Sequence, residues 1–426
     1  MEFAEQLRCL MRKRGVSGAE LARRAHFTKG YVSLLVNGKR HPPVSTARHL
    51  DEILGGGGIL TSLAVRRTGP RAIPDGEVPW PHGVDDDVRR RELLGALGGA
   101  LAGTGFADLE RLRRGVDAAL SPTPSERDAD AWERAAADYA HEVGVLPSRD
   151  VLPGLLADFS EIGDRLAGSS GHIRHRLARA AGQLAALAAI ALTNLGDSAT
   201  ARRWWRTAAR AADETGDHRT ASLVRGRHAV FSLYGRRSAT AALGLADEAI
   251  AAGRGAPCAG VASGYAARAQ AFAQLGRSED ARRALHELAG VFEQLPVSVS
   301  GDRSSAWGWS EMRLRHVESY VCTHAGDTKA AGQAQDAALR LYPAHTYQGR
   351  SQIELHRAEC FIRAGDIDGG AEHASFVLGQ LPPERRSDAL VTGTAAAALS
   401  AIPSRHGQRP AVRRARELLA LTAGQR

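Results

Sequence analysis

Residues 17–38 read SGAELARRAHFTKGYVSLLVNG and predict two short helices joined by a tight turn. Ser17 and Thr28 stand where helix N-caps are expected, because their side-chain oxygens can accept a hydrogen bond from a backbone N–H one turn later. Apolar residues recur at helical spacing on both sides of this turn, at Leu10, Met11, Leu21, Ala22, Val32 and Leu35. We therefore predict a unit of four or five helices, of which the last covers residues 44–54.

The helix pair resembles the helix-turn-helix of the phage-repressor (Xre) family. The family pattern is a capping Ser or Thr, a Glu-Leu-Ala run, a second cap and a closing Asn-Gly, which are here Ser17, Glu20-Leu21-Ala22, Thr28 and Asn37-Gly38. The resemblance implies that residues 1–65 form a domain that places its second helix in the major groove of double-stranded DNA. It also implies a homodimer, because one short helix reads too few bases for specificity. The family often has Gln after the first cap, where this chain has Gly18, so one contact to the DNA backbone is expected to be absent.

The first sixth of the chain carries nearly all of its excess positive charge. Residues 1–71 hold 13 Lys or Arg and 5 Asp or Glu, a net charge of +8, whereas the whole chain has a net charge of +9. This concentration predicts a polyanionic partner for the N-terminal domain. A basic surface that only keeps the protein in solution is the alternative interpretation.

The resemblance assigns candidate DNA contacts to the second helix of the pair and to its flanks. The candidates for base contact are Lys29, Gly30, Tyr31 and Ser33. Lys29 can donate to guanine, Ser33 can hydrogen-bond to either base type, and Gly30 allows a close backbone approach. The candidates for phosphate contact are Thr28, Asn37, Lys39, Arg40, Arg23 and Arg24. For the arginines, a solvated helix face is an equally weighted alternative.

The composition changes after residue 54. Four glycines at 55–58 interrupt the helical pattern, and four prolines with interspersed glycines follow between residues 70 and 81. We interpret residues 66–84 as a Pro/Gly-rich linker. Residues 85–426 are rich in Ala, Leu and Arg without strand-like alternation, which predicts a second, entirely helical domain.

A turn signal, Gly followed by Asp or Arg, recurs in this second domain. It stands at residues 196, 235, 276, 326 and 365, at steps of 39, 41, 50 and 39 residues. Five positions later the residue is small in Ala201, Ala281, Ala331 and Gly370, with Thr240 as the exception. The pattern resembles the tetratricopeptide repeat, best in residues 325–343, although the family period is about 34 residues. It implies an α-solenoid of helical hairpins, clearest over residues 172–400, with a non-repetitive helical bundle as the alternative.

In tetratricopeptide proteins the first helix of each hairpin lines a concave face. The resemblance assigns to that face Gln183, Asn194, Arg225, Gln270, Gln274, Arg313, His316, Tyr320, His324, Gln352, Glu359 and Arg363. Amides there could pair with a peptide backbone and arginines with a carboxylate, although each could be an ordinary exposed helix residue. A repressor-type head on such a tail resembles the bacterial peptide-pheromone receptors of the Rap, NprR, PlcR and PrgX group. That layout implies a peptide or protein ligand.

Catalytic, metal and membrane motifs are not found in the sequence. There is no HExxH, phosphate-binding glycine loop or GxSxG, and the four cysteines form no CxxC pair. No apolar run reaches the roughly 18 residues that span a bilayer, and no N-terminal signal precedes the first helix. We therefore expect neither an enzyme nor a protein with a cofactor, a metal or a membrane partner, and we place it in the cytoplasm.

Together these features predict an all-α protein: a small helix-turn-helix domain followed by an α-solenoid of tetratricopeptide-like hairpins. We predict a dimeric, sequence-specific DNA-binding transcription regulator whose helical domain senses a peptide or other ligand or a partner protein. A scaffold that the helix-turn-helix head only tethers to DNA is the first alternative, and an RNA-binding or plasmid-maintenance protein is the second.

Overall fold

The structure, a computed structural model, describes residues 3–25, 27, 29–38, 42, 44–66, 112–117, 123–234 and 238–423. The chain divides into two units, Met1–Leu101 and Ala102–Arg426. All regular elements among the described residues are helices, which confirms the predicted all-α class. Of the predicted linker, residues 67–84 lie outside the described residues.

The N-terminal unit is built on a leucine core. Its described helices are α1 (Phe3–Lys13), α2 (Gly18–Ala25), α3 (Lys29–Val36), α4 (Val44–Leu54) and α5 (Ile59–Arg66). Fully buried leucines come from every one of them: Leu7, Leu21, Leu35, Leu50, Leu54 and Leu60. Ser17 accepts a hydrogen bond from the Glu20 backbone N–H at 3.2 Å, so the predicted cap of α2 is confirmed. The predicted second cap, Thr28, lies outside the described residues.

Helix α5 follows the four glycines, where the sequence shows no helical periodicity and predicts no helix. Its first turn is held by Asp51 of α4, which is 5% exposed. The Asp51 carboxylate accepts hydrogen bonds from the Leu60 and Thr61 backbone N–H groups, at 3.0 and 2.8 Å. A carboxylate eight residues before the first residue of α5 therefore acts as its N-cap, which local sequence patterns do not reveal.

The second unit consists of antiparallel helical hairpins. Besides a helical stretch at 112–117, its described helices are α6 (Glu126–Val145), α7 (Ser148–Ala167), α8 (Gly171–Asn194), α9 (Ser198–Glu214), α10 (His218–Ser232), α11 (Ala239–Ala252), α12 (Ala259–Gln274), α13 (Ser278–Glu293), α14 (Val297–Ser300), α15 (Glu311–His324), α16 (Thr328–Leu341), α17 (Tyr347–Arg363), α18 (Ile367–Gln380), α19 (Ala389–Ser400) and α20 (Pro410–Ala423). Successive helices pack as pairs, which is the repeat-like arrangement that the turn signals predict.

The predicted turn glycines end the first helix of their hairpins. Gly196, Gly276, Gly326 and Gly365 adopt φ values of +70° to +96°, a region that favours glycine, and Gly235 lies outside the described residues. In three of these turns the next residue, an aspartate, caps the second helix: Asp197, Asp327 and Asp366 each accept a backbone N–H at 3.0 Å. Each turn is therefore encoded by two adjacent residues.

The small residues after the turns lie where the two helices of a hairpin approach each other. Ala201, Ala281, Ala331 and Gly370 are buried, whereas Thr240 is exposed. In the hairpin of Thr240 the buried position is taken by Ala242, because the second helix begins two residues later relative to the glycine than in the other hairpins.

The first helices of successive hairpins form an inner row that closes on itself. Helices α8, α10, α12, α15, α17 and α19 pack in that order, and α19 also contacts α8, where Leu187 and Leu390 share one apolar cluster. The Gln348 amide donates to Asn194 Oδ1 at 3.3 Å, and Arg149 donates to the Glu384 carbonyl at 2.8 Å. The first helices of the hairpins, on which the sequence predicts a concave face, therefore form a closed row.

Candidate functional site

Helix α3 has one face in the core and another exposed. Val32 and Leu35 are buried, and the Tyr31 ring packs edge-on against Phe27 with centroids 5.0 Å apart. Ser33 is exposed, as are Leu34 and Asn37, and the Asn37 amide donates to the Ser33 hydroxyl at 3.2 Å. Among the described side chains, Ser33 of α3 and Asn37 just after it therefore expose polar atoms, whereas half-buried Tyr31 also contributes to packing.

The predicted arginines of α2 are exposed but are already paired with one carboxylate. Glu20 accepts a hydrogen bond from Arg24 Nε at 2.8 Å and forms a second ion pair with Arg23. A phosphate group would have to compete with Glu20 for them, so the solvated-face interpretation of these arginines is strengthened. Among the remaining predicted contacts, Lys29 and Gly30 form the first turn of α3, whereas Thr28, Lys39 and Arg40 lie outside the described residues.

Polar side chains of the inner helices and of two interhelical connections meet in the interior of the helical domain. We refer to these residues as the interior cluster: Arg227, Tyr234, Gln270, Arg313, His316, Tyr320, Tyr342, Gln352 and His356. His316 Nδ1 lies 2.9 Å from the Tyr342 hydroxyl oxygen, and the His316 and His356 rings are 5.5 Å apart between centroids. The Tyr320 ring lies edge-on to His356 at 5.3 Å. Gln270, Gln352 and His356 are at most 4% exposed, so a polar core replaces an apolar one here.

Burial dominates the electrostatics of the interior cluster. It lowers the pKa of His316 to about 4, an effect that the positive charge of Arg313 reinforces. It raises the pKa of Tyr234, which the nearby amides of Gln270 and Gln352 partly oppose. At neutral pH the histidines and tyrosines of the cluster are therefore uncharged hydrogen-bonding groups.

A second group of predicted residues continues the cluster toward the hairpin turns. Tyr320 stacks on His324 with centroids 4.2 Å apart, and the exposed Gln274 donates to the Tyr320 hydroxyl at 2.8 Å. Arg363 donates to buried Glu359 at 2.8 Å, which neutralises both charges. Nine of the predicted concave-face residues are brought together in this way.

The other three predicted residues are placed elsewhere. Asn194 lies at the closure of the inner row, Gln183 is half-buried in α8, and Arg225 pairs with Asp213 of the neighbouring outer helix at 2.8 Å. The hairpin of α10 and α11 instead contributes Arg227 to the cluster, a residue that is not found by counting back from the turn glycine. Counting back from the start of the second helix would have found it, since Arg227 precedes that helix by the same 12 residues as His316 does in its own hairpin.

Acidification is expected to destabilise the helical domain through His316. Its folded pKa of about 4 lies below the ordinary value of 6.5, so the unfolded chain binds more protons between these two values. Stability is therefore lost as the pH falls through this window, by about 1.4 kcal/mol per pH unit for one such histidine. Thermal unfolding of the full chain from about pH 7 to about pH 5 measures the slope. His316→Gln should reduce it and His286→Gln, at an exposed position, should not; equal slopes in both variants contradict the assignment.

Comparison with known proteins supports the assignment of the N-terminal domain and gives no match for the helical domain. A family model described as a helix-turn-helix domain matches residues 2–63, which include α1 to α4 and most of α5. No curated protein and no solved structure matches the chain. The chain therefore carries an N-terminal helix-turn-helix domain, which supports DNA binding, and the tetratricopeptide resemblance of the helical domain stays a prediction.

The described helices were also compared with the length and hydropathy that a bilayer requires. None of them combines enough residues with enough apolar character to cross a membrane.

Proposed function

We propose that this protein is a sequence-specific DNA-binding transcription regulator, with its helix-turn-helix domain as the reader of DNA. Its place of action would be the cytoplasm, where bacterial DNA is accessible. The observation that carries the proposal is the arrangement of α3: Val32 and Leu35 fix one side of the helix in the core, while Ser33, Leu34 and Asn37 face outward. A helix held in this way can enter the major groove without unfolding its domain.

Loss of Lys29 and Lys39 together is expected to weaken DNA binding by at least about tenfold. Lys39 is the phosphate candidate of the two, so the slope of log affinity against log salt concentration should also fall by about 0.9, the contribution of one neutralised phosphate. The measurement is fluorescence anisotropy of the full chain on a DNA site enriched from genomic fragments, over a series of salt concentrations.

The matched control is Lys13→Ala with Lys329→Ala, because these are the other two lysines of the chain and remove the same charge. Both lie at exposed positions, one on α1 and one on α16. If the Lys29/Lys39 variant retains wild-type affinity and salt slope, or if the control loses as much, the contact assignment is wrong.

We further propose that two copies bind together and that the helical domain is a sensor. A single recognition helix covers too few bases for specificity, so a two-fold dimer on a near-palindromic site is the expected assembly. Sedimentation of the full chain with and without that site tests the dimer. A ligand would act by changing the spacing of the two DNA-binding domains in the dimer, and thereby the affinity for DNA. The interior cluster supports such a role because it brings together polar side chains that core packing does not require.

The adaptor alternative makes a different prediction in the same experiment. A sensor changes its affinity for the enriched DNA when small molecules or peptides from a cell extract are added. A scaffold tethered to DNA shows unchanged affinity and retains a protein partner instead.

A further inference from the structure

Arg227 is a guanidinium without a polar partner among the described residues. Its Nε is enclosed and makes no hydrogen bond, and no carboxylate of the described chain lies at ion-pair distance from it. Its guanidinium carbon lies over the Phe231 ring, 5.1 Å from the ring centroid. The side chain as a whole is half-buried, and the enclosed atom is Nε. Leaving this donor unsatisfied costs more than such a ring contact contributes.

Arg313 brings a second positive charge to the same interior. It donates from Nη1 to the Ala306 carbonyl at 3.3 Å and from Nη2 to the Ser305 carbonyl at 3.0 Å, both neutral acceptors. Burial lowers the pKa of both arginines, and the charge of Arg313 lowers that of Arg227 further. Guanidinium groups nevertheless stay protonated in proteins, so both charges persist, and Arg313 is near enough for its charge to act on Arg227.

Other half-buried arginines of this domain show the usual solution. Arg176 pairs with three carboxylates of α6, and Arg357 pairs with Asp336 at 2.6 Å. Arg268 is the closest analogue of Arg227, because its guanidinium also lies 5.1 Å from an aromatic centroid, that of Tyr265, yet it pairs with Asp247 at 2.6 Å. What distinguishes Arg227 is therefore that no carboxylate among the described residues pairs with it.

A second unsatisfied group belongs to the same cluster. His356 is 1% exposed, and its Nδ1 lies 2.9 Å from the Ser319 hydroxyl, but its Nε2 has no partner among the described residues. Two inner helices, α10 and α17, thus each contribute an enclosed nitrogen that has no hydrogen-bond partner among the described residues. One bound molecule in the interior could serve both.

We propose that the interior of the helical domain binds a small organic anion, with its carboxylate or phosphate group held by Arg227 and Arg313. The body of the ligand would contact the uncharged groups of the interior cluster, such as Tyr234, Tyr342 and His356. The inner row favours a small molecule over an extended peptide, because the row is closed where α19 contacts α8 and Gln348 donates to Asn194. This inference deepens the proposed sensor role by naming the chemical class of ligand, and its test needs no DNA.

The first test compares the melting temperature of the full chain in sodium phosphate, sodium succinate and sodium chloride at equal ionic strength. Phosphate or succinate is expected to raise the melting temperature by about 2–4 °C over chloride, since a ligand that binds only the folded state stabilises it. The anion that acts identifies the group: phosphate alone points to a phosphorylated ligand, and succinate alone to a carboxylate. If neither anion raises the melting temperature, the inference is overturned.

The second test uses Arg227→Gln with Arg268→Gln as the matched control. Arg227→Gln should abolish the response to the anion, and in chloride it should melt about 2–4 °C higher than wild type because an unpaired charge is gone. Arg268→Gln should keep the response and gain no stability, because it breaks an ion pair. Arg227→Met, which keeps an unbranched stem beside Phe231, repeats the test if glutamine disturbs folding. A lower melting temperature of both Arg227 variants in chloride, or an unchanged response to anions, would show that this arginine is structural.

These outcomes are independent of the outcome for DNA. If the protein binds DNA but shows no anion response, the proposed ligand class is wrong and the proposed regulator role stands. If it responds to the anion but binds no DNA, the regulator role is wrong and the anion site stands.

Discussion

Replacement of Gly260 by alanine is expected to destabilise the helical domain by about 3 kcal/mol or more. Gly260 and Gly226 lie at the crossing of α12 and α10, where the two backbones touch. A Cβ at Gly260 would overlap with the backbone of Ser222 and Leu223, and one at Gly226 would overlap with the Gly260 carbonyl. Backbone atoms cannot move aside as a side chain can, so the two inner helices would have to separate.

Urea-induced unfolding of the full chain, followed by helical circular dichroism, measures this loss. The control is Gly244→Ala in the outer helix α11, where an added Cβ meets no atom within 4 Å. That variant should gain up to about 1 kcal/mol from helix propensity. If Gly260→Ala unfolds at the same urea concentration as wild type, the close crossing is not a feature of the folded protein.

Replacement of Asp51 by alanine is expected to destabilise the helix-turn-helix domain by about 3 kcal/mol. The carboxylate accepts three hydrogen bonds, from the Leu60 N–H and from the N–H and hydroxyl of Thr61, at 2.7 to 3.0 Å. Alanine would leave two backbone donors at the start of α5 without an acceptor in a place that water reaches poorly. Helix α5 would then detach from the leucine core, and Leu60 with it.

Amide hydrogen exchange of the full chain separates this local effect from the stability of the helical domain. Protection should fall by about two orders of magnitude in α1 to α5 and stay unchanged in the helical domain. Glu52→Ala removes the neighbouring carboxylate at an exposed position and should leave protection as it is. Equal protection in both variants would mean that α5 is held by apolar packing alone.

The head of the protein was predictable because its signals are local. The cap at Ser17, the apolar spacing and the bounds of α4 are each encoded within one or two helical turns, and each appears in the structure. Helix α5 was missed because its cap, Asp51, reaches it from another helix across a glycine run. A propensity argument that reads Gly55–Gly58 as the end of helical structure has no means of detecting such a partner.

The hairpins of the second domain were predictable for the same reason. A glycine that takes positive φ and an aspartate that caps the next helix occupy adjacent positions, so the turns at Gly196, Gly326 and Gly365 are visible in the sequence. The register of the hairpin that contains Arg227 was not predictable. Its connection is longer, so its second helix begins four residues after the turn glycine rather than two.

The sequence by itself thus determined that the chain is helical, that its N-terminus is a helix-turn-helix and where most hairpins turn. Only the tertiary structure decided that the inner helices form a closed row and that Arg227 and Arg313 lie in its polar interior. The physical reason is distance along the chain. The hairpin turns and most of the caps depend on neighbours a few residues away, whereas the meeting of Leu187 with Leu390 depends on the packing of all the hairpins between them.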